Sequence, residues 1–229
     1  MPRQYTNRKL MNRRQLSKAL ALAPLSCLVL DRAIVQAVAS TKGPDASRPF
    51  RVVNVTEDGR RVMFFFDFAC PFCAKYYEPL LNWSSTVPKG VQTMFIPVVN
   101  MADTARKQEQ IIAAKCYYAA FKLGSKQAMA RFASSVYESY ASVRTLTSKD
   151  LWAKAVKDAG IDIKKFGAEL KSADNDFQIQ YAARKCLQYG LRATPSVGVG
   201  GKYVITPDDV LGDDAMFFNI LNGLTSEIL

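Results

Sequence analysis

Apolar positions along the chain follow two rhythms, and the switch between them divides it. Val62-Met63-Phe64-Phe65-Phe66 is an unbroken apolar run that predicts a central strand buried on both faces. Phe50 to Val55 predicts a short strand before it, with Glu57-Asp58-Gly59 as a hairpin turn between the two. Pro88-Lys89-Gly90 is a turn, and Val91 to Val99 predicts a further buried strand. The helix-like stretch Ala74 to Trp83 lies between these strands, giving the order β-β-α-β with a right-handed crossover.

From Ala102 to Gly190 the rhythm is helical. Ile112, Cys116, Ala119 and Leu123 share one face, and Gly124 is the stop. Ser125 caps a second helix carrying Met129, Phe132 and Val136. Thr147 with Asp150 resembles a capping box ahead of Leu151, Ala155, Val156 and Ala159, closed by Gly160. Asp162 starts a short helix with Ile163, Phe166 and Leu170. Asp174 or Asn175 starts another with Ile179, Ala183 and Cys186, closed by Gly190. The strand rhythm then returns in Ser196 to Gly200 and Lys202 to Thr206, around the turn pair Gly200-Gly201. Thr206-Pro207-Asp208-Asp209 reads as the start of a final helix whose apolar face is Met216, Phe217, Ile220, Leu221 and Leu224.

The first forty residues follow neither rhythm. Basic residues lead into an apolar run from Ala19 to Leu30, and Ala37-Val38-Ala39 offers small residues at cleavage spacing, so 1–39 reads as a secretory signal. Asn12-Arg13-Arg14-Gln15-Leu16-Ser17-Lys18 resembles a twin-arginine export signal, Met11 is an alternative start, and Asp31-Arg32 leaves an uncleaved anchor as the minor alternative. The expected organisation is a signal over 1–39, a linker over 40–49, a first fold segment over 50–101, a helical insertion over 102–190 and a second fold segment over 191–229.

Charge changes this picture little. Seven basic residues against Asp31 alone give the first 39 residues +6 of the net +11, and the remaining +5 is spread without a basic run. An ordinary solvated surface is expected, and no nucleic-acid partner. The chain has no histidine, which removes His-ligated zinc, Ser-His-Asp and Cys-His catalysis together.

The chemistry concentrates in Cys70-Pro71-Phe72-Cys73, where the central strand gives way to a helix. Pro71 fits a first helical turn, where its missing N–H costs little. The helix dipole and the free N–H groups there favour thiolate at Cys70, and a second cysteine one turn on can release whatever that thiolate captures. A permanent disulfide or half a zinc site are the competing readings; zinc would need a second pair at knuckle spacing, which Cys116 and Cys186 do not offer. No metal and no cofactor are expected.

Asp67-Phe68-Ala69-Cys70-Pro71-Phe72-Cys73 and the distant Gly190-Leu191-Arg192-Ala193-Thr194-Pro195-Ser196, with helices between them, resemble the DsbA-like branch of the thioredoxin-like superfamily. The resemblance covers Phe50 to Leu229 and implies an α/β thioredoxin-like fold with a large inserted helical subdomain. It implies Cys70 as nucleophile, Cys73 as buried resolving thiol, and a cis Pro195 facing them with Thr194 as a strand edge for an incoming peptide. Pro71 and Phe72 complete the support of the site. Phe72 stands where oxidants of the branch often carry histidine, and Phe64 where a buried acid often stands, so a milder oxidant is expected. Asp67 is open between proton transfer and a capping role.

Cys116 and Cys186 are left over. Both fall on apolar helix faces and are readable as buried small hydrophobes, but with Cys27 inside the signal the mature chain has an even count, which in an oxidising compartment favours a Cys116–Cys186 disulfide.

The expected function is a monomeric, exported (periplasmic) thiol–disulfide oxidoreductase acting on unfolded or reduced secreted proteins. A membrane quinone-linked thiol oxidase would reoxidise it, as the resemblance implies. The alternatives are an isomerase or reductase of the DsbC and DsbG type, for which 40–49 leaves no room for a dimerisation domain, or a non-redox peptide-binding or chaperone module.

Overall fold

The computed structural model describes residues 48–229; the expected signal segment and most of the linker lie outside the described residues. Its sheet has five strands, β1 (Arg51–Val52), β2 (Arg61–Phe66), β3 (Gln92–Pro97), β4 (Ser196–Val199) and β5 (Tyr203–Ile205), in the spatial order β1-β5-β4-β2-β3. The apolar run is β2, parallel to β3 and antiparallel to β4. Helix α1 (Pro71–Trp83) connects β2 to β3. Between β3 and β4 lie α2 (Lys107–Leu123), α3 (Lys126–Val143), α4 (Lys149–Asp158), α5 (Ile163–Glu169) and α6 (Ala173–Gln188), and α7 (Asp214–Ser226) ends the described chain.

The alternation along β2 sorts its side chains into three cores. Val62 and Phe64 face a core completed by Tyr76 and Leu80 of α1 and by Phe217, Leu221 and Leu224 of α7. Met63 and Phe65 point the other way, against Ala114 of α2 and Ile179 and Ala182 of α6. Phe66, at the strand's end, enters a third core with Phe68, Cys73 and Tyr77, built mainly from α2, α3 and α4. Burying a large apolar side chain contributes about 1.5–3 kcal/mol, so one strand anchors all three layers.

Several expected boundaries move, each for a local reason. Glu57-Asp58-Gly59 does not make a hairpin: Thr56–Asp58 is a 3-10 turn, and β1 pairs with β5 instead. Asp58 turns inward, fully buried, to Nζ of Lys185 at 2.7 Å, with Arg61 and the Tyr189 hydroxyl as further donors. Ser148 rather than Thr147 caps α4, and Ser172 rather than Asp174 or Asn175 caps α6, each accepting the N–H three residues on. Pro207–Val210 is a separate 3-10 turn with a Thr206–Asp209 capping box, and α7 takes its own cap from Asp213. The caps at Ser125 and Asp162 stand where expected. Gly200 and Gly201 both have positive φ, 60° and 64°, and a Cβ on Gly201 would fall 1.9 Å from the Val55 carbonyl oxygen, so the β4–β5 turn requires glycine there.

The expected Cys116–Cys186 bond is not formed. Cys116 on α2 faces the helical core, Cys186 on α6 faces the sheet core, and both are buried free thiols. The two helices pack on each other, but their cysteines point into different layers. Burial pushes the Cys116 thiol up to about 12 and the Cys186 thiol up to about 11, so each remains a neutral, inert group.

Lys185 is 1% exposed and Asp58 0%, so the pair is a buried ion pair whose single breakage is costly. Lys185→Met is expected to lower unfolding free energy by about 3 kcal/mol in urea denaturation. Adding Asp58→Asn recovers part of that loss, because a buried carboxylate left with Arg61 as its one cation among the described residues is replaced by a neutral amide.

Candidate active site

The strand-to-helix turn places the two cysteines differently by geometry alone. Cys70 is the N-cap of α1, in extended conformation at φ −97° and ψ 118°, and Pro71 opens the helix. Its sulfur is half-buried at the mouth of the turn. Cys73, one turn on, is 1% exposed in the helical core. Both are free thiols, so the structure describes the dithiol form.

The second half of the site arrives from the segment before β4. The Thr194–Pro195 peptide is cis, as expected, and the Cys70 thiol donates to the Thr194 carbonyl oxygen at 3.2 Å. The structure thus brings Cys70, Pro71, Phe72, Cys73, Thr194 and Pro195 together across 124 sequence positions. Phe72 is 60% exposed, and it borders a narrow cleft with Ala193, Thr194, Pro195, Thr206, Pro207 and Asp208. Phe72 thus presents an exposed aromatic face beside the active turn. Cys116 and Cys186 take no part in the site.

The two thiols differ sharply in acidity. A hydrogen bond from Cys73 is the largest influence on Cys70; burial opposes it, and Thr194 and the N–H groups of Phe72 and Cys73 add to it, holding Cys70 at about 6. Burial pushes Cys73 far above the ordinary thiol range, and the hydrogen bond to Cys70 adds to that. At neutral pH the pair therefore holds one thiolate, on the sulfur that meets solvent, stabilised by a proton kept on the other.

Asp67 braces the turn that leads into α1, without capping the helix itself. Its Oδ1 accepts the Ala69 N–H at 2.8 Å, its carbonyl accepts the Cys70 N–H at 3.0 Å, and its own N–H donates to Cys73 Sγ at 3.4 Å. Arg106, just before α2, clamps the carboxylate with Nη1 to Oδ2 at 2.9 Å and Nη2 to Oδ1 at 3.1 Å. Arg106 escaped the sequence reading: it lies 39 positions away in a turn, with no local pattern joining it to the cysteines. Behind Cys73 stand Tyr77 and Tyr137, whose buried hydroxyls have no hydrogen-bond partner. Phe64, at the position where the resembled branch often carries a buried acid, is buried against Trp83 and Phe95. Among the described residues no group of carboxylates and cysteines is arranged to hold a metal ion.

Comparison with known proteins follows the same outline. A family model described as Thioredoxin matches residues 58–212. The chain is similar to the thiol:disulfide interchange protein DsbA of Bordetella pertussis, 22% identical over 191 residues that cover 83% of this chain and 86% of that one. It is also similar to an uncharacterised protein of Haemophilus influenzae, 27% identical over 168 residues covering 72% of this chain and 67% of that one. Among solved structures, Pseudomonas aeruginosa DsbA superposes with a TM-score of 0.65 at 17% identity, covering 79% of this chain and 92% of that one. Proteus mirabilis DsbA, in complex with the non-covalently bound peptide PWATCDS, gives 0.63 at 14%, covering 79% and 97%.

Alkylation of the reduced protein should modify Cys70 with a midpoint near pH 6 and leave Cys73, Cys116 and Cys186 unmodified at neutral pH, as read by mass spectrometry. The same acidity has a stability consequence. The folded Cys70 lies below its ordinary value of 9.0, so its contribution to the reduced fold is complete above about 9 and is lost as pH falls through about 6. Cys73, shifted upward, opposes this only above about 9. The stability of reduced relative to oxidised protein should therefore rise between pH 6 and 9, as paired denaturation curves would record.

Proposed function

The chain belongs to the thioredoxin family and works as a thiol–disulfide oxidoreductase of the DsbA type, and we propose that it runs the exchange in the oxidising direction, handing its Cys70–Cys73 disulfide to reduced proteins after export. The observation that carries this is the asymmetry of the two sulfurs: a depressed Cys70 at the helix N-terminus above a buried, protonated Cys73. A pair that stabilises thiolate stabilises its own reduced form, which makes its disulfide an oxidant.

The steps follow from accessibility. A substrate thiolate attacks Cys70 Sγ of the disulfide form, a substrate–Cys70 bond forms, and the Cys70–Cys73 bond breaks. Cys73 leaves with the electron pair and takes up a proton, since its buried site does not hold charge. The substrate's second thiolate then attacks its own sulfur in the mixed disulfide, and Cys70 departs as the favoured thiolate. The substrate has lost two electrons and two protons; the protein has gained both electrons and one proton, on Cys73, while Cys70 stays thiolate and the other proton passes to solvent.

Thr194 and Pro195 support substrate positioning. The Thr194 carbonyl already meets the Cys70 sulfur, so a peptide pairing with that strand edge would bring its cysteine to the same atom. The peptide seated on the Proteus mirabilis relative contains a cysteine, which agrees with a cysteine-bearing segment as the substrate class. Export into an oxidising compartment rests on the signal-like pattern of 1–39; no helix among the described residues is long and apolar enough to cross a membrane. Reoxidation by a membrane quinone-linked thiol oxidase and action as a monomer complete the proposal. The isomerase or reductase reading and the non-redox binding reading are not favoured by the similarities found.

Cys73→Ala should accumulate mixed disulfides on Cys70, identifiable after non-reducing capture, whereas Cys70→Ser should capture none and lose oxidation of a reduced test peptide. Failure of the unaltered oxidised protein to oxidise that peptide would sink the proposal. Phe72→His adds a donor and partial positive charge beside the Cys70 sulfur. It should raise the reduction potential by roughly 30 mV, equivalent to a tenfold change in the exchange equilibrium with glutathione.

A further inference from the structure

Asp67 touches the active turn at every backbone level, and its own hold on the fold is Arg106. The carboxylate is only 8% exposed on the side-chain scale, while Arg106 is 38% exposed. One oxygen serves both the guanidinium, at 3.1 Å, and the Ala69 N–H, at 2.8 Å. The same residue accepts the Cys70 N–H and donates its own N–H to Cys73 Sγ. The planar fork of arginine matches a carboxylate at two points, which fixes orientation as well as charge.

The charge matters because of what surrounds it. Tyr77 from α1, and Tyr137 and Tyr140 from α3, flank the region, and Tyr137 interacts electrostatically with Cys73, Cys70 and Asp67 together. Burial keeps the Tyr77 and Tyr137 hydroxyls neutral. Glu109 of α2 is engaged by the Thr145 hydroxyl and the Leu146 N–H, and Lys75 of α1 is committed to Asp214 on the outer face. Thr194 faces Cys70 from the segment before β4. Within this set Arg106 supplies the positive charge that meets Asp67. A poorly solvated carboxylate left without it would repel the thiolate of Cys70.

We propose that Arg106 is a positioning residue for disulfide exchange: its bidentate pair with Asp67 fixes the turn that holds Cys73 and keeps net negative charge away from the Cys70 sulfur. The inference deepens the oxidoreductase reading and rests on it.

The test is a charge cycle read at Cys70. Reduced parent, Arg106→Gln, Asp67→Asn and the double variant are alkylated across pH, and their equilibrium with glutathione is measured. Arg106→Gln should move the Cys70 midpoint upward by about 0.5 to 1, with roughly three- to tenfold less thiolate below the midpoint and a disulfide that is a weaker oxidant. Asp67→Asn, which leaves the cation in place, should move the midpoint downward. The double variant should return close to the parent, and Arg106→Lys should restore most of the parent midpoint.

A role limited to bracing the turn would shift both single variants in the same direction, and that result overturns the proposal, as does an unmoved midpoint in Arg106→Gln. If Arg106→Gln does not fold, Arg106→Lys and Asp67→Asn still decide: a parent-like midpoint in the first with a lowered one in the second supports the proposal, and any other pattern overturns it. Alkylation does not require disulfide transfer. An inactive parent would therefore count against the oxidoreductase reading, while unshifted midpoints in an active parent count against Arg106 alone.

Discussion

A sulfur in the position of Cys73 cannot be left charged, and the rest of the site is arranged around that restriction. With 1% of its surface exposed, its thiolate would sit in a medium that solvates charge poorly. The proton therefore stays on Cys73, the negative charge goes to Cys70, and the hydrogen bond between them becomes the largest stabiliser of that charge. Accessibility and charge coincide at Cys70, and the proposed exchange therefore takes place at that sulfur. The order of bond breaking follows from burial before any substrate is considered.

Burial at that point depends on the sheet. Phe66 and Phe68 extend β2 into the helical core, with ring centroids 5.1 Å apart, and Phe66 meets Tyr77 and Tyr117 at 5.3 and 5.0 Å. These aromatic faces form the wall that desolvates Cys73. The helices between β3 and β4 supply the other side of the same wall, through Tyr117 of α2, Phe132 and Tyr137 of α3 and Trp152 of α4. The insertion therefore contributes directly to the chemistry of the pair. At the opposite end of β2, the Asp58–Lys185 pair ties the turn before the strand to α6, joining sheet and insertion a second time.

Much of this was legible in the chain. Strand β2 was readable from five consecutive apolar residues, and α1 from Pro71 fitting a first helical turn ahead of the helix-like stretch Ala74 to Trp83. The site's two halves were readable because Cys70-Pro71-Phe72-Cys73 and Thr194-Pro195 are local patterns, each with its own backbone chemistry. What local pattern does not encode is direction in three dimensions. Glu57-Asp58-Gly59 has the composition of a hairpin turn, but Lys185, 127 positions away, draws Asp58 inward and the preceding strand pairs elsewhere. Ser148 and Ser172 displaced the nearby caps by one to three positions, because several hydroxyl and carboxylate residues in a row were equally able to cap. Arg106 could not be assigned from sequence, since its role depends on where the turn after β3 carries it. Cys116 and Cys186 pair by count alone, whereas their apolar helix faces point to burial, and a helix has more than one buried face in a three-layered core.

The separation of those two thiols has a consequence for the protein as a redox device. A molecule that carries an oxidising bond risks spending it on itself, by closing a loop through its own spare cysteines. Among the described residues each spare sulfur is neutral, enclosed and turned into a different layer, so neither offers the nucleophile that internal rearrangement requires. In the proposed exchange the fold acts as an insulator with a single terminal: two-electron equivalents pass through Cys70, and the described frame that holds it offers them no second route.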